Sequence, residues 1–366
     1  MEYIIEYGVF LAKAVTIVVS IVFILGVAFS NSNRREKGGK KGAIRVSYLN
    51  EYYENLSDSL KIAVLDKPTL KLLEKAEKKK AKDEEKKSKK RAKNNAKTLD
   101  LKTSKETIIT PEDERKKRVF VLNFEGDVGA EGVSSLREEI TTVLSLADES
   151  DEIVLRLESP GGMVHAYGLA SSQLLRIRNA GIPLTICVDK VAASGGYMMA
   201  CLADRLIAAP FAIIGSIGVL VQLPNFSRVL QNYDVDYEII SAGEYKRTLT
   251  TFGEITEKGR EKVKEEVETI HDVFKKWVKE YRPAVEIDKI ATGETWLGSQ
   301  AKDRYMVDDI RTSDEILVEA VKEHDVYEVE YEIPKSIQDK LAGAFHGAFN
   351  KISSSLIFPN KNTNFQ

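Results

Sequence analysis

Residues 184–203 read Leu-Thr-Ile-Cys-Val, then Asp-Lys, then Val-Ala-Ala-Ser-Gly-Gly-Tyr-Met-Met-Ala-Cys-Leu-Ala. The first five are apolar or β-branched, as in a strand buried on both faces. The stretch from Tyr197 to Ala203 is small and apolar, and a helix is predicted there. Ser194 therefore falls on a strand-to-helix turn. Gly195 and Gly196 keep that turn clear of side chains, so another backbone can approach it closely. The start of the helix also offers N–H groups without helical acceptors to a developing negative charge. Such a turn suits a nucleophile, but a serine hydroxyl near neutral pH also needs a proton acceptor.

Outward from this turn the same pattern repeats. Strands are predicted at residues 119–124, 153–157, 184–188, 205–209 and 218–221, and helices at 133–147, 166–179 and 257–281. The last helix carries an apolar stripe of Val263, Val267, Ile270, Phe274, Trp277, Val278 and Tyr281. Strands alternating with crossover helices imply βαβ units, an α/β class and a mostly parallel sheet.

The chain has four histidines, His165, His271, His324 and His346, so none lies between residues 166 and 270. That leaves Lys246, at the end of Gly-Glu-Tyr-Lys (residues 243–246), as the leading candidate base. A lysine serves as a base when burial or a nearby cation disfavours its ammonium form. Residues 237–240 alternate like a strand entering a core, Gly243 allows a turn, and Tyr245 is placed to wall the amine. His165, three residues past Gly162, gives an alternative Ser–His pair. His271 borders the helix stripe, and Asp189 and Lys190 read as solvated loop charges. Upstream, Ser-Pro-Gly-Gly (residues 159–162) follows a predicted strand. There Gly161 or Gly162 can join Gly195 in offering N–H groups to a tetrahedral oxyanion. No spacing suggests a metal site. The glycine loop lacks the Gly-Lys-Ser/Thr ending of a phosphate loop.

Together these motifs resemble the membrane-anchored Ser/Lys peptidases of the signal peptide peptidase A family, most closely its SohB branch. The resemblance rests on Ser-Pro-Gly-Gly at 159–162, Ala-Ala-Ser-Gly-Gly-Tyr at 192–197, Gly-Ser-Ile-Gly-Val at 215–219 and Gly-Glu-Tyr-Lys at 243–246. It continues through Ala-Thr-Gly-Glu-Thr-Trp-Leu-Gly-Ser-Gln-Ala at 291–301. It implies Ser194 as nucleophile, Lys246 as base and Ser216 as the residue that hydrogen-bonds the base. It further implies a crotonase/Clp-like superhelical fold, and as substrates signal-peptide remnants or membrane-associated polypeptides. A homo-oligomer is implied as well, and no cofactor is called for. The family's Gly-Leu-Val-Asp is here Tyr-Met-Val-Asp at 305–308, a change that bears on a turn. A crotonase-type acyl-CoA enzyme shares the fold and the oxyanion loops, and a catalytically idle membrane scaffold is a further alternative.

A net charge of −2, from 54 basic and 56 acidic residues, hides a strong segregation. Residues 9–29 are apolar apart from Lys13, Thr16 and Ser20. At about 1.5 Å per residue they reach the roughly 30 Å of a bilayer core. Glu2 and Glu6 precede the run, unlike the basic start of a cleaved signal peptide, so a transmembrane anchor is expected. Arg34, Arg35, Lys37, Lys40 and Lys41 follow it. The positive-inside tendency then puts the rest of the chain in the cytoplasm, whereas the family resemblance puts it outside. A second apolar stretch, 191–223, is interrupted by Asp204, Arg205, Pro210 and several glycines, and reads as strands and a helix of the core.

The expected order is a tail at 1–8, the anchor at 9–29, a membrane-proximal region at 30–118, a catalytic domain at 119–325 and a tail at 326–366. Residues 44–70 are expected to form a short helix pair near the membrane. Within the membrane-proximal region, residues 71–97 carry thirteen Lys or Arg against five acidic residues. Such a run suits a solvated arm or anionic lipid head groups. Nucleic acid is not expected, since no base-reading module accompanies the charge. Cys187 and Cys201 read as small buried residues.

Overall fold

The computed structural model describes residues 42–72 and 116–333, with Lys13, Thr16, Lys75 and Lys79 as isolated helical positions. The apolar run at 9–29, apart from Lys13 and Thr16, lies outside the described residues, as do most of the basic run at 71–97 and the tail after residue 333. Among the described residues no helix is long and apolar enough to cross a membrane. Residues Ile44–Tyr331 form one compact unit.

Its frame is a seven-stranded sheet in the order β1-β10-β2-β3-β4-β6-β9. These strands are β1 (Ala43–Tyr48), β2 (Arg118–Glu125), β3 (Glu152–Glu158), β4 (Leu184–Val188), β6 (Arg205–Ala208), β9 (Asp309–Ile310) and β10 (Asp325–Glu332). From β10 across to β9 every pairing is parallel. A smaller sheet holds β5 (Val191–Ala193), β7 (Ile213–Gly215) and β8 (Thr295–Leu297), with β5 and β7 parallel and β7 and β8 antiparallel. The mostly parallel α/β expectation is met.

Strand alternation divides the core between the two faces of the large sheet. Phe120, Leu122, Phe124, Leu155, Leu157 and Ile186 point to one face. They meet α2 (Val133–Leu144), α3 (Val164–Asn179), α4 (Gly195–Ala200) and α6 (Glu257–Tyr281). Val119, Val121, Val154, Cys187 and Ile207 point to the other, against Leu49 of α1 (Leu49–Val64) and Ile316 and Leu317 of α9 (Ser313–Glu323). Cover on both faces explains why β2, β3 and β4 are nearly continuous apolar runs.

Some expectations are corrected. Residues 218–221 form no strand, and the strand of that region is β7, five residues earlier. Residues 237–240 do not enter a core: they lack regular structure, and Ile240 is 91% exposed. Between α5 (Ser227–Asn232) and α6 the chain runs along the surface. Residues 44–70 supply β1, then α1, and after a break at 65–66 a second helical stretch starts at Lys67, so the expected helix pair is preceded by a strand. Strand β10 reaches past residue 325 into the sheet, between β1 and β2, where a tail was expected. The stretch 191–223 is divided among β5, α4, β6 and β7, as read from its interruptions.

Candidate active site

Ser194 follows β5 and caps α4, with φ 52° and ψ −118°. A non-glycine residue at positive φ costs about 1–3 kcal/mol and persists where its surroundings hold it. Here they do. The Ser194 N–H donates to Gly215 O at 2.7 Å, so the turn hangs from the end of β7. The Ser194 carbonyl opens the helix by accepting from Met198 N at 3.0 Å. Behind it, α4 is fixed by Tyr197, whose hydroxyl donates to Met306 O, and by Trp277 of α6, whose indole N–H donates to Met198 O.

The glycine loop at 159–162 lies directly against this turn. Ser159 pairs with β5: its N–H donates to Val191 O, and its carbonyl accepts from Ala193 N. Gly161 has φ +90°, and a Cβ there would lie 2.7 Å from Ala193 O, Gly195 N and Ser194 Cβ. The loop and the nucleophile turn thus meet backbone to backbone, which glycine alone permits. A Cβ on Gly162 would strike Val128 O, and one on Gly195 would enter the ring of Tyr167.

Tyr167, on α3, braces the loop from below. Its hydroxyl lies 2.7 Å from Asp127 O and 2.5 Å from Ser159 Oγ. A carbonyl only accepts, so the tyrosine proton goes to Asp127 and the Ser159 hydroxyl donates to Tyr167. Ser159 Oγ in turn accepts the Gly161 N–H at 3.1 Å. Of the three candidate oxyanion donors, Gly161 therefore spends its N–H inside the loop. No described residue accepts the N–H of Gly162 or of Gly195, and these two remain for an oxyanion. Neither Tyr167 nor the Ser159 hydroxyl was singled out from sequence. A tyrosine eight residues past the loop serine was the available signal.

Ser216 stands beside the same turn, since Gly215 carries the Ser194 amide. It too has positive φ, 52°, and its N–H donates to Glu294 O at 2.6 Å. Lys246 is not brought in. It is exposed, no hydrogen bond joins it to Ser194 or Ser216 among the described residues, and its N–H closes the Gly243 turn at 3.2 Å. Tyr245 does not wall its amine: the cations over that ring are Lys258 and Lys262.

The remaining candidates are placed as follows. His165 is exposed on the first turn of α3, and His271 is half-buried on α6. Asp189 is no free loop charge: its carboxylate accepts the Ser313 N–H at 2.8 Å and hydroxyl at 2.5 Å, and so caps α9. Lys190 pairs with Glu158. Cys187 and Cys201 are buried free thiols, and burial pushes both up to about 12. Among the described residues no group of His, Cys, Asp and Glu is arranged to hold a metal ion.

The family description Peptidase family S49 N-terminal matches residues 2–174, and Peptidase family S49 matches residues 176–327. The chain belongs to peptidase family S49. It is 46% identical over 334 residues to a protein named probable protease SohB of Haemophilus influenzae, covering 91% of this chain and 90% of that one. It is 41% identical over 337 residues to a putative protease SohB of Buchnera aphidicola, covering 92% and 93%. A protein named protease 4, also of Haemophilus influenzae, is 28% identical over 211 residues, covering 56% of this chain and 34% of its own. Similarity spanning nearly the whole length places this S49 peptidase in the SohB branch. The two S49 matches meet at residues 174–176, inside α3, so both are needed to build the site.

Proposed function

We propose that the chain is a membrane-bound serine endopeptidase acting through Ser194 and Lys246. The observation that carries this reading is the positive-φ serine at a helix start, with Gly161 pressed against its turn. Neutral Lys246 Nζ takes the Ser194 hydroxyl proton as Oγ attacks a peptide carbonyl carbon. The N–H groups of Gly162 and Gly195 hold the oxyanion, each such donor being worth about 3–4 kcal/mol in the transition state. The lysine then passes its proton to the departing amine. A water, deprotonated by the same amine, opens the acyl-enzyme and restores the serine. Ser216 orients Nζ. The substrates that fit are signal-peptide remnants and membrane-associated polypeptides.

Lys246 works as a base once it is desolvated, and the single chain leaves it exposed. The stretch of chain that carries it, residues 220–252, also exposes Tyr233 (77%) and Ile240 (91%), with Leu220, Tyr237 and Phe252. This apolar surface supports a homo-oligomer in which a second copy covers the segment and its lysine.

The test is labelling with a fluorophosphonate, which phosphonylates activated serine hydroxyls with loss of fluoride, on wild type, Ser194→Ala and Lys246→Arg. Wild type should label, and peptide cleavage should fall at least about 1,000-fold in Ser194→Ala, the scale of loss of a nucleophile. Lys246→Arg should be equally silent, because guanidinium keeps its proton. Arginine activity near the wild-type level would show that position 246 supplies charge alone. An unlabelled wild type whose melting temperature rises with a CoA thioester would favour the acyl-CoA alternative.

A further inference from the structure

Helix α1 joins the compact unit by its first turn alone. Leu49 is buried against the sheet, and Tyr53 packs beside it. Asn50 fixes that turn: its amide donates to Val321 O and His324 O, and its carbonyl accepts from Val326 N. Beyond it the helix keeps the same apolar face, since Tyr52, Leu56, Leu60 and Val64 follow at intervals of four. Glu51, Glu54, Asp58 and Lys61 lie round the other side, where Ile62 is an exposed apolar residue among polar ones. Yet among the described residues nothing covers this apolar stripe. Leu60 is 65% and Val64 70% exposed, with Tyr52 and Leu56 more than half exposed.

A stripe of that kind on a helix with a polar back face suits the boundary between head groups and acyl chains. The sequence on either side points to the same occupant. Thirteen residues, 30–42, separate α1 and its lead-in strand β1 from the apolar run at 9–29, a reach of at most about 45 Å. On the other side, residues 71–97 bring thirteen Lys or Arg against five acidic residues. Cations next to an amphipathic helix are what an anionic leaflet attracts.

We infer that α1 is an interfacial helix whose Tyr52–Leu56–Leu60–Val64 stripe lies in the surface of an anionic bilayer, as a second membrane contact. This rests on the membrane-bound reading and goes beyond it. The contact holds the compact unit against the bilayer by the α1 edge of its sheet.

The test uses the full chain in phosphatidylcholine/phosphatidylglycerol vesicles. Leu56→Cys, Leu60→Cys and, on the polar side, Glu54→Cys are labelled with a nitrobenzoxadiazole dye. The unsubstituted chain, whose two described thiols are buried, gives the background. Val64→Cys is a further reporter should one of these fail to fold. Labels at 56 and 60 should be quenched at least threefold more by nitroxide lipid than the label at 54, and iodide should give the reverse order. Equal iodide quenching at all three positions would overturn the inference. So would protection of 56 and 60 from both quenchers, which means that a second copy covers the stripe. A chain that fails to float with the vesicles would overturn both the inference and the membrane-bound reading. A floating chain with water-exposed α1 labels would overturn the inference alone.

Discussion

Ser194 is held in its turn by residues packed behind it, and their contribution can be measured. Tyr167→Phe removes one hydroxyl and leaves Asp127 O and the Ser159 hydroxyl without that partner. Burying unpaired polar groups costs about 1–3 kcal/mol. We expect a lower melting temperature and a reduced kcat with nearly unchanged KM, because the loop carrying Gly162 loses its brace. A Phe variant matching wild type in both would show the hydroxyl to be idle. Gly161→Ala is the harsher change, since it combines φ +90° with contacts of 2.7 Å to Ala193 O, Ser194 Cβ and Gly195 N. By displacing the neighbouring Gly162 N–H it should lower cleavage by about 100-fold, the scale of one lost oxyanion donor, even where circular dichroism stays native. At this scale the strand-to-helix turn at Ser194 was legible in the sequence, because Gly-Gly between a strand end and a small-residue helix marks a close turn. Asp189 is exposed, as read, but its hydrogen bonds to Ser313, 124 residues away, lay beyond any local pattern.

Among the elements, legibility followed burial. β4 and α6 stand where periodicity put them, because both are set by long runs with one environment per residue. The failures share another cause. Residues 218–221 and 237–240 have strand-like composition, but no sheet edge receives them, so the apolar pattern records a surface that the single chain leaves uncovered. β10 alternates Val326, Glu328 and Glu330 against Tyr327, Val329 and Tyr331. It went unread as a strand because it joins β2 across some two hundred residues. Its far end yields a prediction. Glu139 of α2 is buried, accepts the Tyr331 N–H at 2.8 Å through Oε1, and has no partner for Oε2 among the described residues. Burial pushes its carboxyl from 4.5 up to about 7, aided by nearby Glu330 and opposed by the Tyr331 N–H. A raised carboxyl means that the native state binds its proton more tightly than the unfolded chain does. That stability is fully present below about pH 4.5 and lost as pH rises through about 7. Between pH 4.5 and 8, wild type should lose up to about 3 kcal/mol relative to Glu139→Gln. Parallel stability curves from chemical denaturation would refute this.

For the whole molecule, the decisive property is how the sequence distributes its charge and apolar residues along the chain. The proposed chemistry lies in the compact unit, while the apolar run at 9–29 and the basic run at 71–97 stand about 160 and 100 residues ahead of Ser194. Separation of that kind predicts that attachment can be removed without removing the reaction. Deleting residues 1–30 should leave the S49 peptidase cleaving short peptides within about threefold of the full chain, because no part of the Ser194 turn, the glycine loop or α4 is lost. The shortened chain keeps α1 and the basic run, so it should still pellet with anionic vesicles at low salt. Each well-placed cation contributes roughly 1 kcal/mol, and the attraction fades as the Debye length shrinks from about 10 Å at 0.1 M to 3 Å at 1 M. Release at high salt is therefore expected from sedimentation, and neutral vesicles should retain much less of the protein. Should the deletion form stay embedded through high salt and alkaline carbonate, a segment outside residues 1–30 would have to be inserted. Residues 191–223 could not supply it, since β5, α4, β6 and β7 are spent in the core that holds Ser194.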